Sequence, residues 1–329
     1  MTEIVPTTRA GIAARLAGAL RAVASDIKLA HSVFALPFAV LGAFLARGAS
    51  AAGEEGARSA AREWWNFLWQ LALVVACMVL ARTWAMLVNR LADRRLDAEN
   101  ERTKGRAFAS GRVGPVLGWT LAGGAAGLFI AACAVFLWLF KNPWPLYLSP
   151  LVLAWLAFYS FTKRFTAACH LVLGVSLALS PIAAAIAVRP EAILSTPTLW
   201  WLAGFVALWV AGFDMIYAIQ DEAFDRTKGL HSIPAKIGPY GAVWAARTLH
   251  GMSMVALLAS WTSDVRLGWW YTAGVVMVFA LLVVEHVVLA RSGRGTGEKP
   301  RLHAFFFTLN GVVSLAMGAA GVADLLTGP

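Results

Sequence analysis

Two rows of polar and acidic side chains have the spacing of a helix face. Asn89, Asp93 and Asp97 form the first row, and at about 100° per residue they lie within about 80° of one another on a helix. Like charges at this spacing destabilise a helix, so stability alone does not explain the row. A divalent cation would remove the repulsion, and Mg²⁺ takes oxygen ligands of this type. The row therefore predicts a magnesium site, and a solvated helix cap with local ion pairs is the alternative.

The second row has the same character and is also followed by basic residues. It comprises Asp214, Tyr217, Asp221 and Asp225, which we predict on one face of a continuous helix. Mg²⁺ bound by carboxylates completes its shell with water and phosphate oxygens, and bases can hold the remaining phosphate charge. The predicted metal ligands are Asn89, Asp93, Asp97, Asp221 and Asp225, and the predicted diphosphate-binding residues are Arg102, Arg106, Lys163, Arg164, Lys228 and Tyr217.

A third cluster, Tyr159-Ser160-Phe161-Thr162-Lys163-Arg164, ends a predicted membrane span. The simpler interpretation is a basic anchor on the cytoplasmic side of the membrane. In the alternative, Lys163 neutralises diphosphate while Tyr159 and Ser160 donate hydrogen bonds. Lys28 and His31, at the start of the first predicted span, are weaker candidates for binding an acceptor.

The composition indicates that membrane-spanning helices position these residues. Of 329 residues, 59% are hydrophobic and only 14% are charged, and the mean hydropathy is +0.67. Charged residues make up about 25% of an average soluble domain, so we predict an all-α protein that crosses the membrane several times. We predict nine spans of about 20 residues, at roughly 27–47, 67–91, 113–138, 144–162, 167–188, 199–220, 240–261, 268–290 and 303–326.

The net charge of +10 could suggest a nucleic-acid partner, but the placement of the bases argues against one. The N-terminal arm and the loops after the even-numbered spans hold 20 of the 28 Lys and Arg residues, against six on the other side. The positive-inside rule then predicts a cytoplasmic N-terminus, a cytoplasmic site and an external C-terminus.

The chain divides into a short N-terminal arm and one large membrane domain. Residues 1–26 are too polar for a signal-peptide core, and we predict an amphipathic interfacial helix with Leu16, Leu20 and Val23 facing lipid. An Arg-rich transit peptide is the alternative. Residues 27–329 are predicted to form a single transmembrane domain.

The motifs resemble those of the UbiA superfamily of intramembrane prenyltransferases over essentially the whole chain. The family pattern NxxxDxxxD matches the first row and continues as NxRT in Asn100, Arg102 and Thr103. The pattern DxxYxxxDxxxD matches the second row, and YSxTKR matches residues 159–164. A proline that is common after the arginine of the first motif is replaced by Ala107.

The resemblance implies nine transmembrane helices around a central cavity and a Mg²⁺-dependent enzyme in the bacterial inner membrane. Such an enzyme transfers a polyprenyl group from polyprenyl diphosphate to an aromatic acid. Asp214, Lys163 and Tyr159 are the expected catalytic residues. Asp214 would orient or deprotonate the acceptor, while Lys163, Arg102 and Arg106 would stabilise charge on the leaving diphosphate.

The first span and the segments around Asp214 and His231 indicate which aromatic acid is the acceptor. These resemble the branch associated with the futalosine route to menaquinone, whose acceptor is a dihydroxynaphthoate, more than the 4-hydroxybenzoate enzymes. The alternatives are 4-hydroxybenzoate polyprenyl transfer for ubiquinone, another UbiA-type reaction on haem, chlorophyll or lipid precursors, and an ion-coupled transporter.

Overall fold

A computed structural model describes residues 9–27, 33–48, 57–291 and 299–328, and this part of the chain contains helices but no β-strand. The all-α prediction is therefore confirmed. The helices are α1 (Arg9–Ile27), α2 (Leu36–Arg47), α3 (Ala57–Glu99), α4 (Pro115–Phe140), α5 (Trp144–Thr162), α6 (Cys169–Val188), α7 (Ala192–Ser195), α8 (Thr198–Ala218), α9 (Glu222–Thr227), α10 (Ile233–Thr262), α11 (Trp269–Arg291) and α12 (Lys299–Thr327).

Eight of the nine predicted spans appear as helices long and apolar enough to cross a membrane, namely α3, α4, α5, α6, α8, α10, α11 and α12. The first predicted span differs, because α2 has only 12 residues. Its rise of about 18 Å is shorter than a hydrocarbon core of about 30 Å. Pro37 lies in its first turn, where the missing N–H leaves no helical bond unmade, and this favours a start at Leu36.

Helix α8 lies at the centre of the largest hydrophobic core, between α6 and α10. Phe38, Phe205 and Trp209 are fully buried there, with ring centroids 5.7–5.9 Å apart. A Cβ atom at Gly174 would lie 2.1 Å from the Ala207 carbonyl oxygen, so α6 and α8 can approach this closely only with glycine. Such small-residue contacts are typical of helix packing in membranes.

The N-terminus of α11 is capped by a carboxylate from the end of α12. Asp324, which is 1% exposed, accepts hydrogen bonds from the backbone N–H groups of Gly268, Trp270 and Tyr271 at 2.7–3.1 Å. These amides have no partner within their own helix, and an anion at a helix N-terminus is also favoured by the helix dipole.

We expect Asp324→Ala to destabilise the protein by about 2–3 kcal/mol, because up to three buried N–H groups lose a charged acceptor. Thermal unfolding of the purified protein in detergent would measure the loss. Asp324→Asn keeps one acceptor oxygen, so its stability should lie between those of wild type and Asp324→Ala. Equal melting temperatures for wild type and Asp324→Ala would contradict this role of the cap.

The second acidic row does not lie on one continuous α-helix, and that prediction was wrong. Helix α8 ends at Ala218, a 3₁₀ turn covers Ile219–Asp221, and α9 begins at Glu222. The 3₁₀ turn is wound more tightly than an α-helix, so it changes the direction of the side chains that follow it. Asp214 and Asp225 therefore belong to different helices.

The N-terminal arm forms a helix, but its apolar side does not face lipid throughout. Val23 is 4% exposed and Ile27 6% exposed, and both pack with Leu87 and Leu91 of α3. Leu20, at 42% exposure, remains available to lipid. The prediction that Val23 faces lipid was wrong, because α3 and the loop that follows it cover that side of α1.

Candidate active site

The first acidic row lies at the C-terminal end of α3, where the chain turns back into the loop of residues 100–114. Helix α3 has 43 residues and rises about 65 Å, so it extends well beyond a hydrocarbon core of about 30 Å. The Thr103 hydroxyl donates to the Asp97 carbonyl oxygen at 3.1 Å, and the Thr103 N–H donates to the Asn100 carbonyl at 2.9 Å. These bonds bring the NxRT segment back over the helix end.

The loop after the first row contacts the second row directly. Arg102 donates two hydrogen bonds to Asp221, Nε to Oδ1 at 2.9 Å and a terminal nitrogen to Oδ2 at 2.7 Å. Asn100 adds a bond from Nδ2 to Asp221 Oδ1 at 3.2 Å. Two motifs about 120 residues apart in sequence thus share one ion pair of the bidentate type that suits arginine.

The two aspartates of the first row are each paired with an arginine. Arg164, from the loop after α5, contacts Asp93 at 3.0 Å. Arg106 donates to both oxygens of Asp97 at 2.8 Å. Asn89, the third member of the row, donates from Nδ2 to Asp93 Oδ2 at 3.3 Å.

Asp225 is the most enclosed carboxylate of the site. Its side chain is 1% exposed, Lys163 lies 2.8 Å from Oδ1, and the Ser232 hydroxyl donates to Oδ2 at 2.8 Å. A buried carboxylate needs such partners, because an uncompensated charge there is strongly destabilising. The structure thus places Lys163 on Asp225, and Asp225 is less accessible to a metal ion than the other predicted ligands.

Other predicted site residues of the described chain are Lys228, Tyr217 and Tyr159. Lys228 forms an ion pair with Glu99, which joins the ends of α9 and α3. Tyr217 packs edge-to-face on Phe213, with ring centroids 5.9 Å apart. Tyr159 lies half-buried in the last turn of α5, one residue before the buried Ser160.

Asp214 has a different partner, which the sequence did not reveal. Its Oδ2 lies 2.7 Å from His170 Nδ1, and His170 Nε2 accepts a bond from the Ile233 N–H at 3.3 Å. The His170 ring thus lies between the Asp214 carboxylate and the backbone at the start of α10. His170 opens α6, 44 residues away from Asp214 in sequence, and no spacing pattern connects the two residues.

Arg82 is a second residue that the sequence analysis missed. It precedes Asn89 by seven residues, which places it on the same face of α3 and about 10 Å deeper. Its Nε atom is buried without a hydrogen-bond partner, and it makes no ion pair with an acidic residue in the described chain. A charged residue inside a span is costly, and this periodicity with the first row was the available signal.

The donor set suits a hard cation, although the described residues form no complete metal cage. Within the described ranges no three His, Cys, Asp or Glu side chains converge on one point. Mg²⁺ usually takes only one or two protein carboxylates and completes its shell with water and substrate phosphate. Asp93 and Asp221 are partly exposed, with side-chain exposures of 27% and 13%, so they can meet this requirement. The predicted acceptor residues Lys28 and His31 lie outside the described residues.

Comparison with known proteins decides the family. The sequence model of the UbiA prenyltransferase family matches residues 35–312. The chain belongs to the UbiA prenyltransferase family. A 4-hydroxybenzoate octaprenyltransferase from Stutzerimonas stutzeri is 30% identical over 259 residues, which cover 78% of this chain and 81% of that protein.

Solved structures of UbiA homologs share the fold. The homolog from Aeropyrum pernix K1 has a TM-score of 0.75 and 30% identity, over 90% of this chain and 98% of the other. A homolog from Archaeoglobus fulgidus bound to DMAPP and Mg²⁺ has a TM-score of 0.66 and 15% identity, over 94% of this chain and 99% of that one. This UbiA protein is therefore a multi-pass membrane prenyltransferase, and the transporter alternative is not supported.

Proposed function

We propose that this UbiA protein transfers a polyprenyl group from polyprenyl diphosphate to an aromatic acid of the 4-hydroxybenzoate type, with Mg²⁺ as cofactor. The observation that carries the proposal is the interleaving of acids and bases from both motifs. Arg102 with Asp221, Arg164 with Asp93 and Lys163 with Asp225 join elements that are far apart in sequence.

The ion pairs are arranged so that a metal diphosphate can replace them. A magnesium diphosphate unit offers a cation to the carboxylates and phosphate oxygens to the arginines and lysines. A carboxylate that binds the metal and the base that binds the phosphate would each exchange one opposite charge for another, so separating them would leave neither unpaired. The A. fulgidus homolog, whose solved structure holds DMAPP and Mg²⁺, supports this assignment through its shared fold.

The chemistry follows from the charges that develop. The allylic C–O bond breaks and its electron pair leaves with the diphosphate, where Arg102, Arg106 and Lys163 stabilise the growing negative charge. Mg²⁺ held by carboxylates such as Asp93 and Asp221 would add Lewis-acid stabilisation of the leaving diphosphate. A ring carbon of the acceptor forms the new C–C bond and loses its proton to a base. The surrounding apolar helices exclude water, which would otherwise capture the allylic cation.

Asp214 is the residue proposed to orient or deprotonate the acceptor. It is bound to His170, whereas each of the other four aspartates of the two rows is paired with an arginine or lysine. His170 holds the carboxylate in place through this hydrogen bond. Tyr159 is retained as a proposed hydrogen-bond donor, and Lys28 and His31 as proposed acceptor contacts.

Arg82 is suited to bind the carboxylate group of an aromatic acid acceptor. Its guanidinium lies deeper than the diphosphate-binding residues, and without an acidic partner it can bind a carboxylate in a bidentate manner. An acceptor with a carboxylate would therefore pair with a charge that has no acidic partner among the described residues. This supports an aromatic acid over a neutral lipid precursor as the acceptor class.

Between the two aromatic acids, the comparisons favour hydroxybenzoate. The S. stutzeri relative is a 4-hydroxybenzoate enzyme, and so the alternative from the sequence analysis has better support than the menaquinone branch. The positions in the bacterial inner membrane and on its cytoplasmic side remain predictions.

A direct assay tests the acceptor. Purified protein in detergent would receive geranyl diphosphate, Mg²⁺ and either 4-hydroxybenzoate or a dihydroxynaphthoate, and mass spectrometry would detect the prenylated product. We expect product from 4-hydroxybenzoate, and Arg82→Gln should raise KM for it at least about tenfold because a buried charge-assisted contact is lost. Product from the naphthoate alone would reverse the choice of acceptor.

A further inference from the structure

The N-terminal helix α1 contacts the loop of residues 100–114, which carries the proposed phosphate-binding residues Arg102 and Arg106. Asp26, in the last turn of α1, accepts a hydrogen bond from the backbone N–H of Ala107 at 2.6 Å. Val23 and Ile27 on the same helix pack in one buried cluster with Ala107 and Phe108. The contact joins residues 81 positions apart and combines a charged hydrogen bond with apolar burial.

The Asp26 carboxylate is important because the peptide it holds is buried. Ala107 is 0% exposed, and a buried N–H without an acceptor is destabilising. The carbonyl of the same residue accepts a bond from the Val113 N–H at 3.1 Å. Both polar groups of Ala107 are therefore bound, one within the loop and the other by α1.

Arg106, which immediately precedes Ala107, contacts both oxygens of Asp97. A shift of the peptide between residues 106 and 107 would move this guanidinium relative to the acidic row. Misplacement by about 1 Å at a site that positions a reacting group can reduce the rate about a hundredfold. The loop also carries Arg102, so its position affects both arginines.

Alanine at position 107 has a backbone N–H that requires an acceptor, whereas a proline there would fix φ and remove this donor. Asp26 supplies the acceptor, and its hydrogen bond restrains the peptide between Arg106 and Ala107.

We propose that Asp26 is a positioning residue for prenyl diphosphate binding, acting from α1 through the Ala107 N–H on Arg106. This rests on the proposed function, because it assigns Arg106 to the diphosphate. It also makes α1 part of the binding apparatus, in addition to any contact it makes with the membrane surface.

The test compares three variants of the full-length protein in detergent. For Asp26→Ala we expect KM for geranyl diphosphate to rise about tenfold and kcat to fall as well, with the acceptor KM changed less than about twofold. Asp26→Asn keeps an acceptor oxygen, so its KM should rise less. Ser25→Ala, which changes an exposed neighbour on the same helix, should match wild type.

Hydrogen exchange supplies a readout that does not depend on activity. In Asp26→Ala the peptide covering residues 100–113 should exchange faster than in wild type, while peptides in α8 should not change. In an Ala107→Pro background, which has no N–H to donate, Asp26→Ala should cause no further increase in KM.

The outcomes separate the two proposals. Unchanged exchange in Asp26→Ala, or an equal rise of both substrate KM values, would overturn the role of Asp26. Wild-type protein that fails to bind geranyl diphosphate would instead overturn the proposed function.

Discussion

Replacing Asp221 with asparagine should abolish prenyl transfer, with kcat/KM reduced at least about a thousandfold. Asp221 is the carboxylate that both motifs share, since Arg102 and Asn100 from the first motif bind it directly. The variant loses a metal-binding charge and leaves Arg102 without its carboxylate. Calorimetry with a non-hydrolysable prenyl diphosphate analogue and Mg²⁺ should show no binding.

A neighbouring acid provides the control for this variant. Glu222 is adjacent to Asp221, but it pairs with Arg226 on its own helix and takes no part in the shared cluster. Glu222→Gln should keep activity within about twofold, because ion pairs between residues four apart on one helix contribute little. Chelation of Mg²⁺ should reproduce the Asp221→Asn loss in wild-type protein, and readdition should restore activity. Full turnover in metal-free buffer would contradict the metal-binding role of both acidic rows.

Replacing Asp214 with asparagine should separate binding from chemistry. Asp214 lies seven residues before Asp221, roughly 10–12 Å along the helix and the 3₁₀ turn, and its partner is His170. We expect the prenyl diphosphate analogue to bind within about threefold of wild type. The rate of transfer should fall about 10²–10⁴-fold, the usual loss when a general base is removed.

The Asp214→Asn variant also tests a purely structural role for this carboxylate. The amide oxygen of the new side chain can still accept the bond from His170 Nδ1, so α6 and α8 should stay together and the melting temperature should change little. If analogue binding is lost as severely as in Asp221→Asn, Asp214 belongs to the metal site. If activity survives, Asp214 only joins two helices.

The sequence determined the class of the protein and predicted the residues of the candidate site. Hydropathy over about 20 residues is a local property, and it correctly located the eight long spans. The spacing of Asn89, Asp93 and Asp97 is also local, because a single unbroken helix carries all three. The UbiA motifs therefore indicated the family before any contact was known.

The sequence was a poorer guide where helices end inside a motif. The second row has the same periodicity as the first, yet a 3₁₀ turn interrupts it at Ile219–Asp221. Periodicity assumes constant winding, and nothing in the spacing of the acids shows where the winding changes. The short α2 is a similar case, because the apolar stretch of the sequence extends to both sides of Leu36, where the helix starts.

Only the tertiary structure decided which partner each charge has. Asp221 could in principle pair with any nearby base, and its contacts with Arg102 and Asn100 come from a loop about 120 residues away. The pairing of His170 with Asp214 and the docking of Asp26 on Ala107 likewise depend on how α6, α8, α1 and the loop pack. Burial favours such pairs, because a charged side chain that is removed from water needs a partner within hydrogen-bond distance. The packing of the helices determines which side chain lies within that distance.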